Sequence, residues 1–137
     1  MHRYSLTFCT AGRARIFEQS DAVSDALQQI RRTAAIEKFA IVAYCFMPDH
    51  LHLLVDGMSE RSDLTRFAKM AKQRSGASYA LSEKGRLWQE GYWERVLRVD
   101  DDPRPLVRYI FENPVRAGLV KTARDYPFLG SDVRDNL

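Results

Sequence analysis

One stretch near the middle of the chain constrains its fold and chemistry more than any other. Residues 46–55 have the sequence FMPDHLHLLV. The Pro-Asp pair predicts a turn between two apolar, strand-forming runs, and hence an antiparallel hairpin. Because alternate side chains of a strand point to the same face, we expect His50 and His52 to project together. Such a pair can share a metal ion or a phosphate oxygen, but a strand can also bury two hydrogen-bonded histidines. This stretch alone leaves both interpretations open.

Apolar periodicity predicts the other elements of the chain. Strands are expected at residues 4–8, 41–47, 50–55 and 93–99, helices at 20–38, 62–81 and 106–113, and an irregular or short helical tail at 115–137. The order β-α-β-β-α-β followed by a helix predicts one α+β domain over residues 1–137. Its core would be ferredoxin-like, a four-stranded antiparallel sheet with two helices on one face and the histidine strand in the interior.

Composition excludes several classes of protein. The 137 residues are 45% hydrophobic and 28% charged, as in a single soluble domain. No apolar stretch approaches the ~20 residues that span a bilayer, and the N-terminus alternates apolar and polar residues. We therefore expect a cytoplasmic protein without a membrane partner. Cys9 and Cys45 form no CxxC pair, so buried core thiols are expected.

Basic residues favour a nucleic-acid partner more by their placement than by their number. The net charge is only +3, yet the stretch between Thr65 and Ser82 contains four cations and no acid. A helix face that carries only positive charges favours contact with phosphates, although the same residues could simply form a solvent-exposed face. The candidate DNA-binding residues are Arg13, Arg15, Arg66, Lys69, Lys72, Arg74 and Arg116.

Three aromatic residues follow that helix. Trp88, Tyr92 and Trp93 could stack on unpaired bases. Large aromatic side chains pack into cores more often than they bind ligands, so packing is the favoured expectation.

Two polar residues of the third helix could complete a site with the histidines. Tyr109 and Asn113 are four residues apart, and therefore neighbours on one helix face. If that face packs over the free face of the sheet, a phenol and an amide oxygen approach the two imidazoles. Alternatively, Tyr109 belongs to the core and Asn113 caps the helix before Pro114.

Two motifs together give the chain a family resemblance. The sequence MPDHLHLLV at 47–55, followed by YIFENPVRAGLV at 109–120, resembles the single-tyrosine HUH transposases, and most of all their REP-associated branch. The resemblance implies a ferredoxin-like core with a catalytic C-terminal helix. It implies that His50 and His52 bind a metal, that Tyr109 is the nucleophile, and that Asn113 is the third ligand, where relatives often carry glutamine.

The resemblance also implies the cofactor, the partner and the activity. The metal would be Mg²⁺ or Mn²⁺, although two imidazoles and an amide would by themselves favour zinc, copper or nickel. The partner would be single-stranded or hairpin DNA, bound by a monomer or a homodimer. The activity would be that of a metal-dependent tyrosine endonuclease and transposase, which nicks and transfers a strand through a 5′-phosphotyrosine intermediate.

Two other functions compete with this one. A DNA-hairpin-binding protein with decayed or dispensable catalysis would share every basic and aromatic feature. A histidine-triad nucleotide hydrolase is disfavoured, because Leu54 occupies the position of its third histidine.

Overall fold

The structure is a computed structural model that describes residues 2–83 and 85–133. Its five strands form one antiparallel sheet in the order β4-β1-β3-β2-β5. The strands are β1 (Arg3–Cys9), β2 (Phe39–Met47), β3 (His50–Gly57), β4 (Trp93–Leu97) and β5 (Leu129–Gly130). The helices are α1 (Ser20–Glu37), α2 (Leu64–Ser82), α3 (Arg104–Phe111) and α4 (Asn113–Arg116).

The main core lies between one face of the sheet and the helices α1 and α2. Alternate residues of the strands supply its sheet side, as the period of two requires. Ile30 from α1 and Phe67 from α2 are fully buried against them. The strand residues of this core include Leu6, Phe8, Phe46, Leu51, Leu53 and Val55.

This arrangement confirms the predicted ferredoxin-like fold. The first four strands have the order β4-β1-β3-β2, with α1 and α2 packed together on one face. The strand that carries the histidines is interior, between β1 and β2.

The second face of the sheet is covered over only part of its width. Val107 and Ile110 of α3 pack on Val42, Cys45 and Leu54, which belong to β2 and β3. At the other edge of the same sheet, β4 is exposed along most of its length. The histidine strand therefore lies between a half covered by α3 and a more open half formed by β1 and β4.

The tail was predicted to be irregular or helical, but it adds a fifth strand. Tyr44 pairs with Gly130 and Cys45 pairs with Leu129, so β5 extends the sheet beside β2. Two residues are too few to produce a detectable alternation. The last four residues of the predicted tail, 134–137, lie outside the described part of the chain.

The third helix is displaced from its predicted bounds. It runs over Arg104–Phe111 rather than 106–113, and Asn113 begins α4 instead of ending α3. Pro114 has no N–H to donate to the carbonyl of Ile110, whereas the backbone N–H of Glu112 still donates to the carbonyl of Arg108 at 2.9 Å. The backbone nevertheless stays in the right-handed helical region at Glu112, so α4 follows directly.

Within residues 2–83 and 85–133, the helices are all too short or too polar to cross a membrane.

Candidate metal and nucleophile site

The register of three strands places the two histidines on the sheet face opposite α1 and α2. Their ring centroids are 4.8 Å apart and the ring planes are perpendicular. Leu51 and Leu53, which alternate with them, belong to the main core. The cross-strand partners are Cys9 and Met47 for His50, and Thr7 and Cys45 for His52.

Each histidine has its Nδ1 atom held by a neighbouring oxygen. Asp49 Oδ1 lies 2.7 Å from His50 Nδ1, and Thr7 Oγ1 lies 3.1 Å from His52 Nδ1. A carboxylate only accepts hydrogen bonds, so the Nδ1 of His50 donates to Asp49 and its Nε2 takes no part in this contact. A carboxylate behind a histidine is the usual support of a metal-binding imidazole.

Asp49 also connects His50 to the basic loop near the N-terminus. Its Oδ2 accepts from Arg13 Nε at 3.1 Å. Burial alone would raise the pKa of Asp49, but the hydrogen bond from His50 and the charge of Arg13 outweigh burial. The pKa therefore lies below its usual value and Asp49 is ionised at neutral pH.

His52 is neutral at physiological pH. Burial lowers its pKa to about 4, and the nearby charges of His50 and Arg116 act in the same direction. A neutral imidazole is the form that binds a metal. Burial raises the pKa of the Cys45 thiol to about 12, so this side chain stays protonated and supplies no thiolate ligand.

A third metal ligand would have to be a group other than a His, Cys, Asp or Glu side chain. Within the described ranges, no group of three His, Cys, Asp or Glu side chains could hold a metal ion. An amide oxygen, a phosphate or water would have to join the histidines. Asn113 is half-buried at the start of α4 and offers such an amide oxygen.

Tyr109 lies on the outer side of α3, under a stacked arginine. Its side chain is 62% exposed, which excludes the interpretation as a core residue. The guanidinium carbon of Arg116 lies 3.9 Å from the ring centroid, and Arg116 Nη2 donates to the Tyr109 carbonyl at 2.8 Å. Helical side chains lean towards the N-terminus, which allows a residue seven positions later to reach back.

The structure brings these residues together in two groups. His50 and His52 form one group, and Tyr109 and Arg116 form the other. α3 packs on Cys45 and Met47, the cross-strand partners of His52 and His50, so the second group lies on the histidine side of the sheet. Within residues 2–83 and 85–133, neither histidine is hydrogen-bonded to Tyr109 or Asn113. Their meeting in one site stays a prediction.

Most of the candidate DNA-binding cations already have partners within the chain. On α2, Arg66 pairs with Glu37 at 3.0 Å, and Lys72 donates to the carbonyl of Gln89 at 2.7 Å. The remaining contacts are Arg74 to Thr33 at 3.2 Å, Arg15 to Glu18 at 3.2 Å and Arg13 to Asp49 at 3.0 Å, while Lys69 is exposed. Apart from Lys69, these cations are therefore engaged within the chain, and their role in DNA binding stays a prediction.

The two tryptophans differ sharply in environment. Trp88 is 5% exposed and its Nε1 donates to Ser75 Oγ at 2.8 Å, which confirms the expected packing role. Trp93 is 75% exposed, so packing does not describe it.

Sequence reasoning missed the two residues that hold the histidines. Asp49 adjoins His50, so the Asp-His pair itself was an available signal. Thr7 is 45 residues from His52, and only the strand register shows that they meet.

Comparison with known proteins identifies the family. Residues 1–113 match the model of the family described as transposase IS200 like. The chain belongs to this family of IS200-like transposases. This confirms the resemblance that the two sequence motifs carried.

Two curated relatives of this IS200-like transposase are described as REP-associated tyrosine transposases. The Haemophilus influenzae protein is 30% identical over 122 residues, which are 80% of this chain and 68% of that protein. The Escherichia coli protein is 36% identical over 93 residues, which are 66% of this chain and 53% of that protein. The chain thus matches about half the length of the second relative.

Two solved structures share its fold. A REP-associated tyrosine transposase bound to a REP hairpin superposes with a TM-score of 0.75 at 25% identity, covering 93% of this chain and 75% of that one. A transposase-like protein of Deinococcus radiodurans has a TM-score of 0.55 at 26% identity, covering 82% and 91%.

Proposed function

We propose that this transposase nicks single-stranded DNA beside a hairpin and transfers the strand through a 5′-phosphotyrosine intermediate. The observation that supports this most is the pair of adjacent histidine rings, His50 and His52, on one face of β3. Their Nδ1 atoms are held by Asp49 and Thr7, which leaves both Nε2 atoms for a shared ligand. Such support behind two imidazoles is the arrangement of a metal site.

The residues present fit a divalent cation. His50 and His52 supply two nitrogens, and Asn113 supplies an amide oxygen. Mg²⁺ or Mn²⁺ is the ion that we assign, in line with the family. When bound, the ion neutralises charge on a phosphate oxygen and orients the phosphate. The imidazole nitrogens also suit zinc, so the identity of the metal is part of the proposal.

Tyr109 is the proposed nucleophile. Its phenolic oxygen forms a bond to phosphorus while the bond from phosphorus to the 3′ oxygen breaks. The phenol gives up its proton and the 3′ oxygen gains one, so the products are a 5′-phosphotyrosine and a free 3′-hydroxyl. No water is consumed, and the step can therefore be reversed to join strands. Arg116 holds the ring of Tyr109 by stacking and adds positive charge beside it.

Hairpin DNA is the proposed partner. The solved relative with a TM-score of 0.75 has a REP hairpin bound. This chain has an exposed lysine, Lys69, on the cationic helix α2 and an exposed arginine, Arg116, beside Tyr109. The proposed assembly is a monomer or a homodimer, in which Tyr109 serves the histidines of its own chain or those of a second copy.

A covalent-adduct assay tests the proposal. The full chain is incubated with short single-stranded oligonucleotides that form hairpins, in the presence of Mn²⁺, and then analysed on a denaturing gel. A slower, covalent protein–DNA band that disappears with EDTA is the expected result. Retarded hairpin on a native gel without any covalent band, in Mn²⁺, Mg²⁺ or Zn²⁺, would instead support the hairpin-binding protein without catalysis.

A further inference from the structure

An exposed tryptophan lies on the same sheet face as the histidines, two strands away. Trp93 of β4 is directly opposite Thr7 of β1, and Thr7 is opposite His52 of β3. Directly opposed residues of neighbouring strands share a face, and strands are about 4.8 Å apart, so Trp93 lies about 10 Å across the sheet from His52. An extended nucleotide can bridge a span of this size from its phosphate to a neighbouring base.

A small cavity adjoins the exposed tryptophan. A cavity of about 180 Å³ lies against Trp93 and is bordered by Thr7 and Cys9 of β1. Gln89 and Glu90 border it as well and offer an amide and a carboxylate to the edge of a base. The face is open here because α3 packs over β2 and β3 instead.

A cation accompanies the aromatic ring. Arg95 is the next residue of β4 on this face, opposite Ser5, and it is exposed. An aromatic platform beside a cation that can contact the backbone is the combination by which proteins bind single-stranded DNA. An indole that is 75% exposed contributes little to the core, so its packing does not explain its presence.

We propose that Trp93 stacks on an unpaired nucleobase of the DNA flanking the hairpin, in the cavity beside Thr7. This deepens the proposed function and rests on it for the position of the phosphate at the histidines. The strand then runs across the sheet face from β4 to β3, with Arg95 beside its backbone. The ligand is a base of single-stranded DNA, not the paired stem.

Matched variants on one strand test this inference. Trp93→Ala and Trp93→Phe are compared with Val96→Ala, since Val96 is also exposed on β4 but lies on the opposite face. Dissociation constants are measured at one salt concentration for a DNA hairpin with a single-stranded flank and for the same hairpin made blunt. Unfolding curves of each variant provide the control for folding.

The two oligonucleotides should respond differently. Trp93→Ala should weaken binding of the flanked hairpin about 5- to 140-fold, because stacking on one base contributes about 1–3 kcal/mol. It should change binding of the blunt hairpin less than about twofold, since the stem does not touch Trp93. Trp93→Phe should retain most of the affinity, and Val96→Ala should behave as the wild type with both.

An abasic nucleotide moved along the flank identifies the stacked base. At one position, removal of the base should weaken DNA binding by the wild type but should not weaken binding by Trp93→Ala any further. Such non-additivity indicates that the base and Trp93 are in direct contact. Additive losses at every position would overturn the inference, as would equal binding of flanked and blunt hairpins by the wild type. A missing covalent adduct would refute only the proposed nicking, because this comparison measures binding.

Discussion

At the scale of single residues, the histidine pair depends on the oxygens behind it. Alternation along a strand was enough to predict that His50 and His52 share a face. It could not predict that Asp49 and Thr7 fix the two rings, because the second contact joins residues 45 positions apart. The sequence also left open whether Tyr109 belongs to the core. Its exposure is decided by the packing of α3, which buries Val107 and Ile110 and leaves Tyr109 facing solvent.

The support given by Asp49 leads to a prediction about metal affinity. Asp49→Asn keeps the size of the side chain but removes the charge that holds the proton on His50 Nδ1. Affinity for Mn²⁺ should fall about 10- to 100-fold, as for other carboxylates behind metal-binding histidines. Calorimetry or the EPR signal of free Mn²⁺ measures it without any DNA.

A remote aspartate provides the control for that experiment. Asp132 forms an exposed ion pair with Arg31, so Asp132→Asn makes the same chemical change away from the histidines. It should bind Mn²⁺ as the wild type does. Unchanged Mn²⁺ affinity in Asp49→Asn would show that Asp49 does not support a metal ligand.

At the scale of elements, a partly buried ion pair connects the sheet to the segment that leads into α3. Arg3 donates to both carboxylate oxygens of Asp56, at 2.6 and 3.0 Å, and to the carbonyl of Asp101 at 3.0 Å. The side chain of Arg3 is only 9% exposed. Asp101 precedes α3, so this pair helps to set where the tyrosine helix begins.

Removing one partner of this pair should be costly. Asp56→Ala leaves a buried guanidinium without its carboxylate, so the free energy of unfolding should fall by about 2–4 kcal/mol. Glu18→Ala removes the exposed partner of Arg15 and should cost less than about 1 kcal/mol. Urea unfolding of both variants measures the difference. Equal losses would mean that the Arg3 pair behaves as a surface pair.

At the scale of the whole molecule, element order predicted the core and little of its surroundings. The sequence β-α-β-β-α-β permits few right-handed arrangements, which is why the ferredoxin-like sheet was predictable. The strand β5 has two residues and leaves no periodic signal, and the break between α3 and α4 depends on one proline. Exposure of Trp93 follows from the placement of α3 over the other half of the face, which depends on tertiary packing.

Contacts between basic side chains and DNA phosphates determine how the affinity for DNA responds to salt. Hairpin affinity should fall steeply with salt, because each phosphate contact releases a counterion. Lys69→Ala should reduce the slope of log K against log salt by about 0.7–0.9 if Lys69 contacts one phosphate. Arg66→Ala should reduce it less, since Glu37 already compensates Arg66. Equal slopes for the wild type and Lys69→Ala would show that Lys69 contacts no phosphate.

The most direct test of the account is whether Tyr109→Phe still forms a covalent adduct with DNA. This change removes one oxygen from an exposed side chain, so the protein should fold as the wild type does. Its dissociation constant for the hairpin should stay within about twofold of the wild-type value. The denaturing gel should show a covalent band for the wild type and none for Tyr109→Phe, in matched reactions with Mn²⁺ and the same hairpin oligonucleotide. A covalent band of wild-type intensity from Tyr109→Phe would contradict the account, because another residue would then be the nucleophile.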